Sequence, residues 1–246
     1  MNKYFCIKLS IFITIFVLLA ACCSMAKNVG YKYIPIPENS QKKVLTRPIV
    51  CLGDSLTEGY VSSMVGIVDR EHSYPAFLQE KVNVQVVNSG ISGNTTKETL
   101  DRIEKDVLAY NPDMVIVFLG TNDFFLRDLP LEETQENLQK ILDKINDGDR
   151  LIFLVKFYSN QILERFMSWK EWSVRRWQST INKYDSMFEE LAHKNNAVLI
   201  SGVWEGIDIE ADMPDSVHPD THGYWLIEEN IFLAVKSYIS EENLIE

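Results

Sequence analysis

The sequence predicts an α/β fold, a three-layer α/β/α sandwich around a central, mostly parallel sheet of five strands. Two observations carry this. First, five short runs are rich in Val, Ile, Leu and Phe and carry few charges: Ile49–Leu52, Val82–Val87, Met114–Leu119, Leu151–Val155 and Ala197–Ile200. Strands covered on both faces read this way. Second, helix-like segments lie between them, over Tyr74–Lys81, Thr96–Tyr110, Glu132–Asn146 and Val174–Asn195, with a last one near Gly223–Ile239. Strand and helix in alternation imply parallel pairing, with helices on both faces.

The chain has 246 residues, enough for one domain with a full core. Hydrophobic residues make up 46% and charged residues 24%, as in a globular protein. The net charge of -11 argues against a nucleic-acid binder, because phosphate backbones call for basic surface.

The N-terminal residues stand apart. Lys3 and Lys8 give a positive start, Ile11 to Ala20 is apolar, and small residues follow, the pattern of an export signal over residues 1–21. Leu19-Ala20-Ala21-Cys22 resembles the bacterial lipobox, in which the cysteine becomes the lipidated first residue. That resemblance implies an exported protein, anchored in a bacterial membrane through Cys22 and facing the periplasm or the cell exterior. A plain signal peptide cut near Met25-Ala26, giving a soluble exported protein, or an uncleaved anchor, is the alternative. Residues 22–46, with Pro35, Pro37, Asn39 and Ser40, read as a tether, and 47–246 as the folded domain. Cys51, in the first strand, reads as a small buried apolar residue, and no disulfide framework is visible.

Ile49–Leu52 runs into Gly53-Asp54-Ser55-Leu56, which can present Ser55 at the carboxyl edge of a sheet. Serine is a poor nucleophile without a base, and the base needs an orienting group. After the second strand, Asn88 to Thr95 contains Gly93, whose backbone N–H can approach a ligand closely. Thr95 or Thr96 can cap the next helix with Glu98, and Asn111-Pro112 ends it. The third strand leads into Gly120-Thr121-Asn122-Asp123, where the Asn122 amide can donate to an oxyanion or simply cap a turn. Glu132 and Glu133 suit a helix start.

After the fourth strand, Phe157 to Trp177 breaks the rhythm and holds three of the five tryptophans. Phe157, Trp169 and Trp172 are read as a wall for an acyl chain, with a helix packing its aromatic stripe on the core as the alternative. Finally, Asp215-Ser216-Val217-His218 precedes the last helix. An acid three residues before a histidine can reach its Nδ1 and leave Nε2 for a serine proton. Of the other histidines, His72 and His193 are read as lacking a comparable neighbour, and His222 as lining the site or capping the helix.

These four stretches together resemble the SGNH or GDSL hydrolases from Pro48 to about Ile239. Gly53-Asp54-Ser55-Leu56, Asn88 to Thr95, Gly120-Thr121-Asn122-Asp123 and Asp215 to His218 match the family's first, second, third and fifth blocks. Leu52 to Tyr60 with Ile91 to Thr95 is similar to the thioesterase I, lysophospholipase and arylesterase group. Asn94 stands where that group has aspartate, and Thr121 where it has glycine. The resemblance implies a flavodoxin-like sheet and a serine hydrolase acting on acyl esters, lysophospholipids or acyl thioesters. Ser55 would attack, His218 would carry the proton, and Asp215 would orient His218. The N–H groups of Ser55 and Gly93 and the Asn122 amide would form the oxyanion hole. No metal or other cofactor is implied: clustered ligands at metal spacing and a phosphate-binding P-loop are both lacking. The alternative enzyme is a carbohydrate O-acetylesterase using the same groups. A binding protein without catalysis is disfavoured by the intact Ser55, Asp215 and His218.

Overall fold

The computed structural model describes residues 42–61, 66–158, 174–215 and 217–245, with the side chains of 174–178 left aside. The expected export signal, Cys22 and the aromatic residues Trp169 and Trp172 lie outside the described residues.

Strand β1 (Ile49–Gly53) is buried at every position. The helix α1 (Ser55–Glu58) follows after one residue. A small antiparallel pair, β2 (Tyr60–Val61) and β3 (Ile67–Val68), leads to helix α2 (Tyr74–Gln79). Strand β4 (Val86–Gly90) then leads to the short helices α3 (Thr96–Leu100) and α4 (Ile103–Asp106). Strand β5 (Met114–Phe118) is followed by α5 (Thr121–Phe125) and α6 (Leu131–Ile145). Strand β6 (Leu151–Val155), helix α7 (Val174–Lys194), strand β7 (Val198–Ile200) and helix α8 (Thr221–Val235) complete the fold.

The main sheet is parallel throughout, in the order β4-β1-β5-β6-β7. Helix α2 packs with α8; α6 packs with α3, α4 and α7. Each group of helices buries an apolar stripe. In α6 the buried positions Thr134, Asn137, Leu138, Ile141, Leu142 and Ile145 recur at helical spacing. The chain leaves β1 for one neighbour, β4, and returns past it to the other, β5. That reversal is the topological switch point, where open α/β sheets gather their sites. The carboxyl ends of β4, β1 and β5 therefore lie side by side, with Gly53 opposite both Gly90 and Phe118.

Several boundaries differ from the sequence reading, each for a tertiary reason. The second strand is Val86–Gly90 rather than Val82–Val87. Val82 bridges instead to Leu244, and the amide of Asn83 donates to the Asn243 carbonyl, so this stretch holds the C-terminal segment. The helix expected over Thr96–Tyr110 breaks at Arg102, whose guanidinium turns in to the carbonyls of Ser89 and Gly53. Thr95 is the cap, in a full capping box with Glu98. Residues 42–46, read as tether, pack on the domain: Lys43 bridges to Ile239 and Leu45 is 2% exposed. Asp113 fastens this segment by accepting from the amides of Thr46 and Arg47 and from the Arg47 side chain. Burial alone would raise the Asp113 carboxyl, but these hydrogen bonds and Lys43 hold it at about 2.

Candidate active site

Asp54 closes the start of α1 by accepting from the Leu56 amide at 3.0 Å. Ser55 is thereby the first helical residue, with its side chain at the sheet edge. Burial pushes the Asp54 carboxyl up to about 7, against the Leu56 hydrogen bond that favours its ionised form. The Tyr224 hydroxyl, from α8, shares its one proton between the carbonyls of Tyr60 (2.9 Å) and Ser55 (3.3 Å), fixing α1 from behind.

His218 comes from the loop ahead of α8. Its Nε2 lies 3.0 Å from the Ser55 Oγ, and its Nδ1–H donates to Asp215 Oδ2 at 2.7 Å. The second Asp215 oxygen accepts from the backbone amides of Val217 (2.9 Å) and His218 (2.7 Å). Burial would raise the Asp215 carboxyl, but its His218 and amide hydrogen bonds prevail and hold it well below the usual carboxylate range. An anion fixed there can orient the ring and favour a positive charge on it. The Tyr60 ring packs against the His218 ring, centroids 4.5 Å apart.

The loop after β4 supplies the facing surface. Gly93 has φ +80°, and nothing lies within 4 Å of where a side chain would begin. Glycine holds this left-handed turn without strain and leaves the approach open. The amides of Gly93 and Ser55 have no acceptor among the described residues. Asn122, first turn of α5, donates one amide hydrogen to the Asn94 carbonyl at 2.9 Å. That bond fixes the Asn122 amide plane beside the loop and leaves its other hydrogen free to donate. Asn94 is held also by Arg102, whose Nε–H donates to its Oδ1 at 2.8 Å.

Asp123 was not read as part of this arrangement. It accepts from the Thr96 amide at 2.9 Å and from the Thr96 hydroxyl, joining α3 to α5 beneath the loop. Burial raises the Asp123 carboxyl, and the Thr96 hydrogen bonds oppose that rise. Glu58 and Tyr60 were also missed. Glu58 sits one helical turn beyond Ser55, a signal the sequence did contain.

One expectation needs correction. His72 does have a comparable neighbour: Asp69 stands three residues before it and binds its Nδ1 at 2.7 Å, with the Glu71 and His72 amides on the other oxygen. A serine opposite Nε2 and deeper burial separate His218, 18% exposed, from His72, 50% exposed. Phe157 is 1% exposed, packs on Phe124, Phe125, Tyr184 and Phe188, and lines a small apolar pocket with Phe124, Tyr158, Ile181 and Tyr184. His222 lies on α8 with its Nδ1 2.8 Å from Asp212, and Asp220 caps the helix.

A serine relayed through histidine to a carboxylate is the constellation of the serine hydrolases. The chain belongs to the GDSL-like lipase/acylhydrolase family, whose sequence profile matches residues 51–226. It is 26% identical over 189 residues to an acetylxylan esterase of Geobacillus stearothermophilus, covering 70% of this chain and 78% of that one. It is 32% identical over 113 residues to an arylesterase of Vibrio mimicus, covering 44% of this chain and 53% of that protein, about half its length. The fold is similar to that of the psychrotrophic esterase EstA from Pseudoalteromonas sp., with a TM-score of 0.62 at 24% identity, over 78% of this chain and 98% of that one.

Proposed function

We propose that this protein cleaves carboxylic esters or thioesters through an acyl-enzyme formed on Ser55. The observation that carries this reading is the unbroken line from the Ser55 Oγ to His218 Nε2 and from His218 Nδ1 to Asp215. In the acylation step the Ser55 oxygen attacks the carbonyl carbon while its proton passes to His218. The oxyanion is held by the amides of Ser55 and Gly93 and by the Asn122 side chain. His218 then gives its proton to the departing alcohol or thiol, leaving the acyl group on Ser55. Water, deprotonated by His218, repeats the attack and frees the acid and the serine.

The substrate reading is an acyl ester, lysophospholipid or acyl thioester, supported by the likeness of Leu52 to Tyr60 to the arylesterase group and by the apolar residues exposed near this edge. Ile91 follows β4, Leu126 follows α5, and Ile67 and Val68 form β3; all four are exposed. A second reading, an O-acetylesterase of carbohydrates, is favoured by the longer match to the acetylxylan esterase. Export and a lipid anchor at Cys22 belong to the same proposal and rest on the lipobox-like residues Leu19 to Cys22.

Hydrolysis of nitrophenyl esters from acetyl to palmitoyl, set beside release of acetate from acetylated xylo-oligosaccharides, tests this. Ser55-dependent turnover that rises with chain length is the expected result. Turnover confined to acetyl groups on sugars selects the second reading.

A further inference from the structure

We propose that Glu58 is a positioning residue that holds the oxyanion loop at a fixed distance from the nucleophile, an inference that rests on the ester-hydrolase reading above. Nothing packs within 4 Å of where a side chain at Gly93 would begin, and the turn itself is closed by the Asn94 amide donating to the Ile91 carbonyl at 3.2 Å. Its distance from the nucleophile is set by the residues on its two flanks. On one flank, Asn94 is held by Asn122 and Arg102. On the other, Ser92 gives both of its donors to one oxygen of Glu58: the Ser92 amide at 2.7 Å and the Ser92 hydroxyl at 2.6 Å.

Glu58 is suited to this by its place. It lies one turn along α1 from Ser55, so helix and nucleophile move together. The helix is closed on itself by the Gly59 amide donating to the Ser55 carbonyl at 3.1 Å. It also meets β4 backbone to backbone: a side chain at Gly90 would begin 2.2 Å from the Glu58 nitrogen. The second Glu58 oxygen accepts from Arg70 at 2.6 Å, and the same guanidinium reaches the Gly90 carbonyl at 3.2 Å. With its side chain 16% exposed, the carboxylate has donors on both oxygens, and charge-assisted bonds of this kind are the stronger ones. Burial would raise the Glu58 carboxyl, and the Ser92 and Arg70 hydrogen bonds turn the balance below its ordinary value. A single side chain thus couples the Ser55 helix to the residue before Gly93. Oxyanion donors act only when placed in advance of the reaction.

The test compares the full chain with Glu58→Ala and Glu58→Gln in two measurements. Hydrogen–deuterium exchange follows peptides over residues 90–96 and over β5 and β6. Burst kinetics with a nitrophenyl ester separate the acylation rate from the fraction of active protein. Glu58→Ala is expected to speed exchange at 90–96 while leaving β5 and β6 unchanged, and to slow acylation by about 10- to 100-fold with little change in KM. Glu58→Gln keeps one acceptor oxygen and falls between. Unchanged exchange at 90–96, or normal acylation despite faster exchange, overturns the proposal. So does exchange that rises throughout the domain, which marks a general structural role. Should Glu58→Ala fail to fold, Ser92→Ala removes one of the two donors and must shift both readouts in the same direction. If the wild-type chain turns over no nitrophenyl ester, the ester reading fails, and the exchange data still decide whether Glu58 holds the loop.

Discussion

The Nε2 of His218 lies 3.0 Å from the Oγ of Ser55, although 163 positions separate them in the chain. Ser55 is delivered by β1 and His218 by the loop ahead of α8, and Tyr224 ties the two regions together through the Ser55 carbonyl. A proton can cross that gap without rearrangement.

Replacing members of this line should therefore affect rate far more than stability. His218→Ala is expected to lower kcat by about 10⁴-fold or more, and Asp215→Asn by about 10³- to 10⁴-fold through loss of ring orientation. His72→Ala, at the equivalent Asp69–His72 pair, should leave turnover unchanged because no serine faces that ring. Steady-state kinetics on one ester for all three variants check this.

Asn122→Ala should lower kcat by about 10²- to 10³-fold with a small effect on KM. The same change frees the Asn94 carbonyl, so its thermal midpoint should also fall slightly. A loss seen in KM alone would place Asn122 in substrate binding instead.

Asp123→Ala should weaken the fold, because the buried Thr96 amide and hydroxyl lose their acceptor. Leaving buried donors unpaired costs about 1–3 kcal/mol each. Urea denaturation measures this, and Asp123→Asn, which keeps one acceptor oxygen, should recover part of it.

Glu228 gives a pH prediction. It is 0% exposed on α8, and neither of its carboxylate oxygens has a hydrogen-bond partner among the described residues. Burial pushes it up to about 7, Lys81 opposes the rise, and Glu229 and Glu80 add to it. A carboxyl raised in the folded state binds its proton more tightly there than in the unfolded chain. Its contribution is therefore complete at low pH and is lost as pH climbs from the ordinary carboxylate range through 7. Glu228→Gln removes that loss. Its thermal midpoint should exceed that of the wild type at pH 8, by an amount corresponding to about 1–3 kcal/mol, and the gain should shrink towards pH 5. Equal midpoints at both pH values would contradict the assignment.

Much of this was readable in the residues because buried parallel strands leave a plain signature. Met114 to Phe118 and Leu151 to Val155 fall where their apolar runs lie, and Ser55 and Asn122 follow strand ends. The reading failed where tertiary contacts decide. Val82 and Val84 look like a strand, yet the ladder with β1 begins at Val86 and runs on through polar Asn88 and Ser89. Thr96 to Tyr110 reads as one helix, but Arg102 spends its guanidinium on the sheet edge. An acid three residues before a histidine occurs twice, at Asp69 and Asp215, and sequence spacing alone does not say which ring meets a serine. The role of Glu58 depends on a contact with Ser92, 34 positions away.

The central claim is that Ser55 is a nucleophile activated by His218. Reaction of the full chain with a fluorophosphonate probe, followed by peptide mass spectrometry, tests it most directly. The account predicts one adduct on the peptide carrying Ser55, absent in Ser55→Ala and slowed by orders of magnitude in His218→Ala. An adduct that persists in Ser55→Ala, or a labelling rate that His218→Ala leaves unchanged, would contradict it.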